Sequence, residues 1–300
     1  MIDVLIVGSM GLDDIETPFG KILNTLGGSA VYSSIASSFF SKTGIVGVIG
    51  KDFPQAHLDL MERKGINLTG VKKKEGKTFH WSGKYEFDLN SAITLNTELN
   101  VMESFEPKIP EEYKKAKYVF LGNIDPEIQL NVLDQIKNPE LVVSDTMNYW
   151  IQHKQGQVKE VVKAVDIALM NDGEARELFG TTNLVKAAKE ILKLDSKYAI
   201  IKKGEHGAVM FTEDKHFSLP GYPLEDIKDP TGAGDSFAGA LIGYLAKEKQ
   251  VNETNIRRAM VYGSIIASLE AEGMGVTNMD FITQFKIKER FQEFKKFMQF

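Results

Sequence analysis

The sequence predicts an α/β protein: a mostly parallel central sheet flanked by helices in a Rossmann-like three-layer arrangement, with a small β-sheet lid. Three observations lead there. Short apolar runs at 117–121, 141–144, 165–170 and 198–201 alternate with helical patterns at 126–136, 155–164, 174–179 and 184–194. That alternation is the mark of right-handed strand–helix–strand crossovers. Phe79, Trp81, Gly83, Tyr85 and Phe87 alternate with polar residues and no helical pattern intervenes, which reads as strands with one covered face. Finally, Asp229-Pro230-Thr231-Gly232-Ala233-Gly234-Asp235 is a glycine-rich turn feeding a helix whose apolar face repeats at Phe237, Leu241 and Leu245.

The elements follow in chain order. Residues 4–8 form a buried strand, and Ser9 to Asp14 is the loop after it. Ligands of open α/β sheets bind at such loops, so Asp13 and Asp14 are candidates to hold hydroxyl groups. A solvated acidic turn is the plainer reading. Gly27-Gly28 opens a helix of small residues ending near Phe40, and a bare helix start offers amides to an anion. The lid is expected at 13–23 and 72–100, and the core at 1–12, 24–71 and 101–300. The alternative is that the aromatic stretch adds a hairpin to the main sheet. Gly76-Lys77-Thr78 is no phosphate loop, because Val71 stands where the motif needs glycine.

Further along, Asn123, Asp125, Asp145 and Asn148 gather after apolar strands. Asn171 and Glu174 have the spacing of a capping box, or of a pair organising a metal through water. Gly204 and Gly207 flank a turn that follows the basic pair Lys202-Lys203. His206 reads as solvent-facing. Phe291, Phe294 and Met298 form a helical stripe that reads as core packing.

Composition narrows the function. The 300 residues include no cysteine and carry a net charge of −5. Disulfides and cysteine metal sites are excluded, and no basic signature points to nucleic acid. No apolar run reaches the roughly 18–20 residues of a membrane span. Met1 to Gly8 reads as a strand rather than a signal peptide. The expectation is a cytoplasmic protein acting on a small molecule.

Asp229 to Leu241 resembles the second signature of the ribokinase-like (PfkB) carbohydrate kinase family. Gly27-Gly28, with the run from Gly44 to Gly50 and then Lys51-Asp52-Phe53, resembles its other signature. The resemblance implies ATP-dependent phosphoryl transfer to a hydroxymethyl group of a sugar. It gives Asp235 the role of base and the amides of Gly232, Ala233 and Gly234 that of an anion hole. Substrate would meet Asp13, Gly27, Gly28, Asn123 and Asp235. Nucleotide would meet Asn171, Lys202, Gly204, Gly207, Gly232 and Gly234. Glu174 would organise Mg²⁺ through water, and Asp229 and Thr231 would belong to a loop for a monovalent cation such as K⁺. The lid would close over the sugar and pair two subunits as a homodimer.

Departures from the family pattern stand at Gly11 and Tyr32, where asparagine is usual, and at Lys202, where threonine is usual. Tyr32 would reshape the sugar pocket or admit a flat ring, which keeps a nucleoside substrate open. Glu272 to Gly275 replaces the pattern that accompanies the cation loop, so potassium activation is in question. The reading outside the class is a non-catalytic sugar or nucleotide sensor on the same fold.

Overall fold

The computed structural model describes residues 1–299. In chain order the first elements are β1 (Val4–Val7), β2 (Gly11–Thr17), β3 (Gly20–Gly27), α1 (Ser29–Ser38), β4 (Thr43–Ile49), α2 (Gln55–Arg63) and β5 (Asn67–Lys73). Then come β6 (Phe79–Tyr85), β7 (Ala92–Glu98), β8 (Tyr118–Leu121), α3 (Pro126–Gln135), β9 (Leu141–Ser144), α4 (Asn148–His153) and α5 (Gln155–Lys163). The rest are β10 (Ile167–Asn171), α6 (Asp172–Phe179), α7 (Leu184–Leu192), β11 (Tyr198–Lys202), β12 (Ala208–Phe211), β13 (His216–Leu219), α8 (Ala233–Glu248), α9 (Glu253–Ala271) and α10 (Gln284–Phe297).

Nine strands form one sheet in the order β13-β12-β11-β10-β9-β8-β1-β4-β5. From β11 to β5 every pairing is parallel, and β12 and β13 add an antiparallel edge. Strands of this kind are buried on both faces. In β1, Val4 and Ile6 pack into the layer of α1, α8 and α9, while Leu5 and Val7 pack into the layer of α3, α5, α6 and α7. This is the period-two alternation of a strand. The three-layer architecture is therefore the one the alternating pattern predicts.

The lid is a separate four-stranded sheet in the order β3-β2-β6-β7, so the aromatic stretch does not extend the main sheet. The stretch from Asp13 to Leu23 is mostly a hairpin of β2 and β3. Its burial alternates, with Asp13 and Ile15 inward, but acidic residues and a proline mask that period in the sequence. Gly11, Leu12 and residues 24–27 also belong to lid strands, whereas Lys72 and Lys73 pair with β4 in the main sheet. Three contacts draw the lid down: Thr17 Oγ1 donates to Lys228 O at 2.9 Å, Tyr85 OH lies 3.3 Å from Thr231 Oγ1, and Asn90 Nδ2 donates to Glu205 Oε1 at 3.4 Å.

Glycines in the middle of α8 let it meet α1 at backbone distance. A Cβ on Gly239 would lie 2.1 Å from the carbonyl oxygen of Ser33, and one on Gly243 would lie 2.8 Å from Cα of Ser37. Gly239→Ala is therefore expected to push α8 away from α1 and to cost about 1–3 kcal/mol, the usual range for overpacking. Urea unfolding would show this as a lower midpoint with an unchanged slope.

Candidate functional site

Parallel strands bring their C-terminal ends to one edge of the sheet. Here that edge carries Asn123 after β8, Asp145 after β9, Asn171 at the end of β10 and Lys202 at the end of β11. The N-terminus of α8 is the other side of the site. Gly232 precedes α8 with φ 84° and ψ −3°, a left-handed conformation that favours glycine. A side chain there would also strike the ring of Tyr32, 2.3 Å from the Cβ position.

Of the three amides assigned to the anion hole, Ala233 N is already used: it donates to Pro230 O at 3.1 Å. Gly232 N and Gly234 N have no protein acceptor among the described residues, and neither has Asp235 N. Asp235 N thus replaces Ala233 N in the free set, because the turn consumes its own middle amide. Tyr32 is 1% exposed and its hydroxyl has no hydrogen-bond partner. It forms a floor under the turn and offers no open face to a flat ring.

Asp235 lies at the first turn of α8. Burial and the nearby Asp145 carboxylate raise its pKa, Lys202 pulls it back, and the result is about 7. Asp13 sits at a bulge in β2 and is 4% exposed. Burial, then Asp229 and Asp235, push its pKa up to about 8. Gly27 is glycine because of it: a Cβ there would lie 1.9 Å from Asp13 Oδ2. Gly28, with φ 100°, starts α1 beside the same carboxyl group. Asp14 is turned elsewhere, accepting from Asn24 N at 2.7 Å.

Asn123 is held by α4, a helix too short to announce itself in the sequence. Its Oδ1 accepts from Trp150 Nε1 at 3.0 Å, and its Nδ2 lies 3.0 Å from Met147 Sδ. Gly204 and Gly207, with φ 55° and 83°, shape the turn between β11 and β12. Gly204 also lies under Asn90 of the lid.

Asn171 and Glu174 form the capping box in full. Glu174 N donates to Asn171 Oδ1 and Asn171 N donates to Glu174 Oε2, both at 2.7 Å. Glu174 is buried, and burial followed by Asp145 raises its pKa to about 8. Lys202 Nζ pairs with Asp145 Oδ2. Burial alone would lower the pKa of Lys202, but Asp145, Glu174 and Asp235 raise it, and it stays charged.

Asp229 accepts from Thr231 N at 2.9 Å and from Gly275 N at 2.8 Å, so its side chain ties two loops together. Glu270 is fully buried beside them, and neither of its oxygens has a partner. Each Asp229 oxygen takes one of these amides and keeps a further acceptor position, and neither Glu270 oxygen has a protein donor, so the acidic oxygens present are compatible with the monovalent cation expected at Asp229 and Thr231. Among the described residues no three acidic or histidine side chains group as metal ligands. The acidic edge does fit Mg²⁺ that arrives with phosphates, since that ion keeps several waters and takes few protein ligands.

Residues 13–280 match the pattern of the pfkB family carbohydrate kinases. The chain belongs to this family. It is 29% identical over 259 residues to the cytidine kinase of Thermococcus kodakarensis, covering 84% of this chain and 92% of that one. The ribokinase of Giardia lamblia has the same fold, with TM-score 0.82 and 19% identity over 97% of this chain and 99% of that one. The nucleoside kinase of Burkholderia thailandensis, solved with inosine, gives TM-score 0.79 and 21% identity over 97% of each chain.

Three buried or half-buried carboxyl groups burden the fold. Asp13, Glu174 and Asp235 all have pKa values raised by burial. Each stabilises the native state fully below the ordinary carboxylate pKa of about 4, and that contribution is lost as pH rises through 7 to 8. Asp13→Asn removes one such group. It is expected to raise the Tm at pH 8 by at least roughly 2–4 °C and to leave it unchanged near pH 4, as thermal melts at the two pH values would show.

Proposed function

We propose that this pfkB-family kinase transfers the γ-phosphoryl group of ATP to the hydroxymethyl group of a ribose-like ring. The observation that carries the reading is Asp235, a carboxyl group with a pKa of about 7 at an amide-lined helix start. An ordinary aspartate is a weak base at neutral pH, and this one is close to the optimum for proton transfer.

The acceptor hydroxyl sits between Asp13 and Asp235. Asp235 takes its proton as the hydroxyl oxygen bonds to phosphorus and the bond to the bridging oxygen of ADP breaks. The transition state is loose, so the proton leaves late and charge stabilisation is the larger effect. The free amides at Gly232, Gly234 and Asp235 donate to the phosphoryl oxygens. One well-placed donor of that kind contributes roughly 3 kcal/mol. Glu174 and Asp145 would hold Mg²⁺ through water, and the ion when bound neutralises charge on the phosphates. No step is assigned to potassium. Closure of the lid excludes water from the transfer.

A nucleoside is favoured over the free sugar first expected. The likeness to the Thermococcus cytidine kinase extends over most of both chains, and it supports this choice. Ile93 and Leu95 are exposed on β7, which supports pairing of two lids in a homodimer. A sensor without catalysis would not need the base and free amides together.

Cytidine, adenosine, inosine, ribose and fructose, offered with ATP and Mg²⁺, are expected to show transfer to a nucleoside first. Product from sugars alone would overturn that choice, and no product from any would count against the reaction. Asp235→Asn is expected to bind ATP normally and to lose at least about 100-fold in kcat. In the parent enzyme kcat/KM should fall below a pH of about 7 as Asp235 gains a proton. A flat profile from pH 5 to 8 would remove Asp235 as the base.

A further inference from the structure

The ammonium of Lys202 occupies a place that the fold has cleared for it. A Cβ on Gly234 would lie 3.1 Å from Lys202 Nζ, so the ammonium rests against the bare backbone of the amide turn. Its side chain is only 15% exposed and that of Asp145 only 4%. An ammonium has three donors, and the described residues give it one acceptor, Asp145 Oδ2. Two N–H bonds therefore remain for other oxygens at the point where Gly234 N and Asp235 N are also free. The charges around it are Asp145, Glu174 and Asp235, all acidic. A polyphosphate entering this edge would meet three carboxyl groups and a single cation.

We propose that Lys202 is a catalytic residue whose ammonium contacts the migrating phosphoryl group, with Asp145 as the positioning residue that holds it there. The proposal rests on the transfer reaction given above. Lys202 keeps its proton throughout. The acceptor oxygen–phosphorus bond forms, the bond from phosphorus to the bridging oxygen breaks, and the hydroxyl proton goes to Asp235. The ammonium offsets charge on the oxygens in flight, as Gly234 N does from the adjoining backbone. A buried cation held by one carboxylate is pre-oriented, so little reorganisation is needed when charge moves. Such a point charge binds phosphate without the planar fork of arginine.

Lys202→Met, Lys202→Arg, Asp145→Asn and the double variant Asp145→Asn/Lys202→Met separate this role from a structural ion pair. Removing one member of a buried pair destabilises, because the other is left uncompensated. Lys202→Met should therefore lower the Tm, and the double variant should restore it. Under the proposal the double variant stays on the order of 100-fold below the parent in kcat, while Lys202→Arg, which keeps the charge, retains more activity than Lys202→Met. Recovery of kcat together with Tm in the double variant would overturn it.

Calorimetry of MgATP and MgADP needs no acceptor. Lys202→Met is expected to weaken ATP about tenfold more than ADP, an energy typical of one charge-assisted contact. Equal loss for the two nucleotides would overturn the contact with the terminal phosphate. Failure of the parent enzyme to phosphorylate any acceptor would count against the reaction itself, and the calorimetry would still decide whether Lys202 touches that phosphate.

Discussion

Acidic groups buried or half-buried at one edge of the sheet, with Lys202 as the cation among them, govern this protein. Asp145, Glu174 and Asp235 converge there because three neighbouring parallel strands and one helix end at the same place. The fold tolerates the arrangement by holding Glu174 in a capping box and Asp145 on the ammonium. Under the proposed reaction, what it does not satisfy internally would be met by an incoming polyphosphate and its metal ion. Stability given up at such a site is the common accompaniment of catalysis.

The lid and the turn before α8 depend on the same edge. Tyr85 reaches Thr231 from the lid, and Tyr32 fills the space beneath Gly232 from α1. Asp229 ties the turn to the loop at Gly275. Lid, floor and turn are therefore packed as neighbours, and the free amides are positioned by contacts from three separate parts of the chain. An electrostatic site of this kind works through groups already oriented before charge develops.

The parallel core was legible because its physics is local. Buried strands such as Leu141 to Ser144 are short apolar runs, and the intervening helices carry their own period. The β2–β3 hairpin was obscured by its charged residues, since one inward aspartate breaks the apolar alternation that would reveal it. Asp235, Asp13 and Gly28 could be placed from motifs that specify backbone as well as side chain. The Lys202–Asp145 pair joins residues 57 apart in sequence, and no local pattern signals such a partner. Trp150 was missed for a similar reason: α4 spans six residues, too few for a periodicity. The internal use of Ala233 N is a property of the turn's own hydrogen bonding, which composition does not specify.

Burial among acids, tempered by one lysine, brings Asp235 to the edge of ionisation at neutral pH. A ¹³C NMR titration of aspartate carboxyl carbons, with the Asp235 signal assigned by its loss in Asp235→Asn, measures this directly. A midpoint near 7 is the result that the arrangement requires. A midpoint near 4, the ordinary aspartate value, would mean that the surroundings do not tune Asp235 and would contradict its proposed role as base.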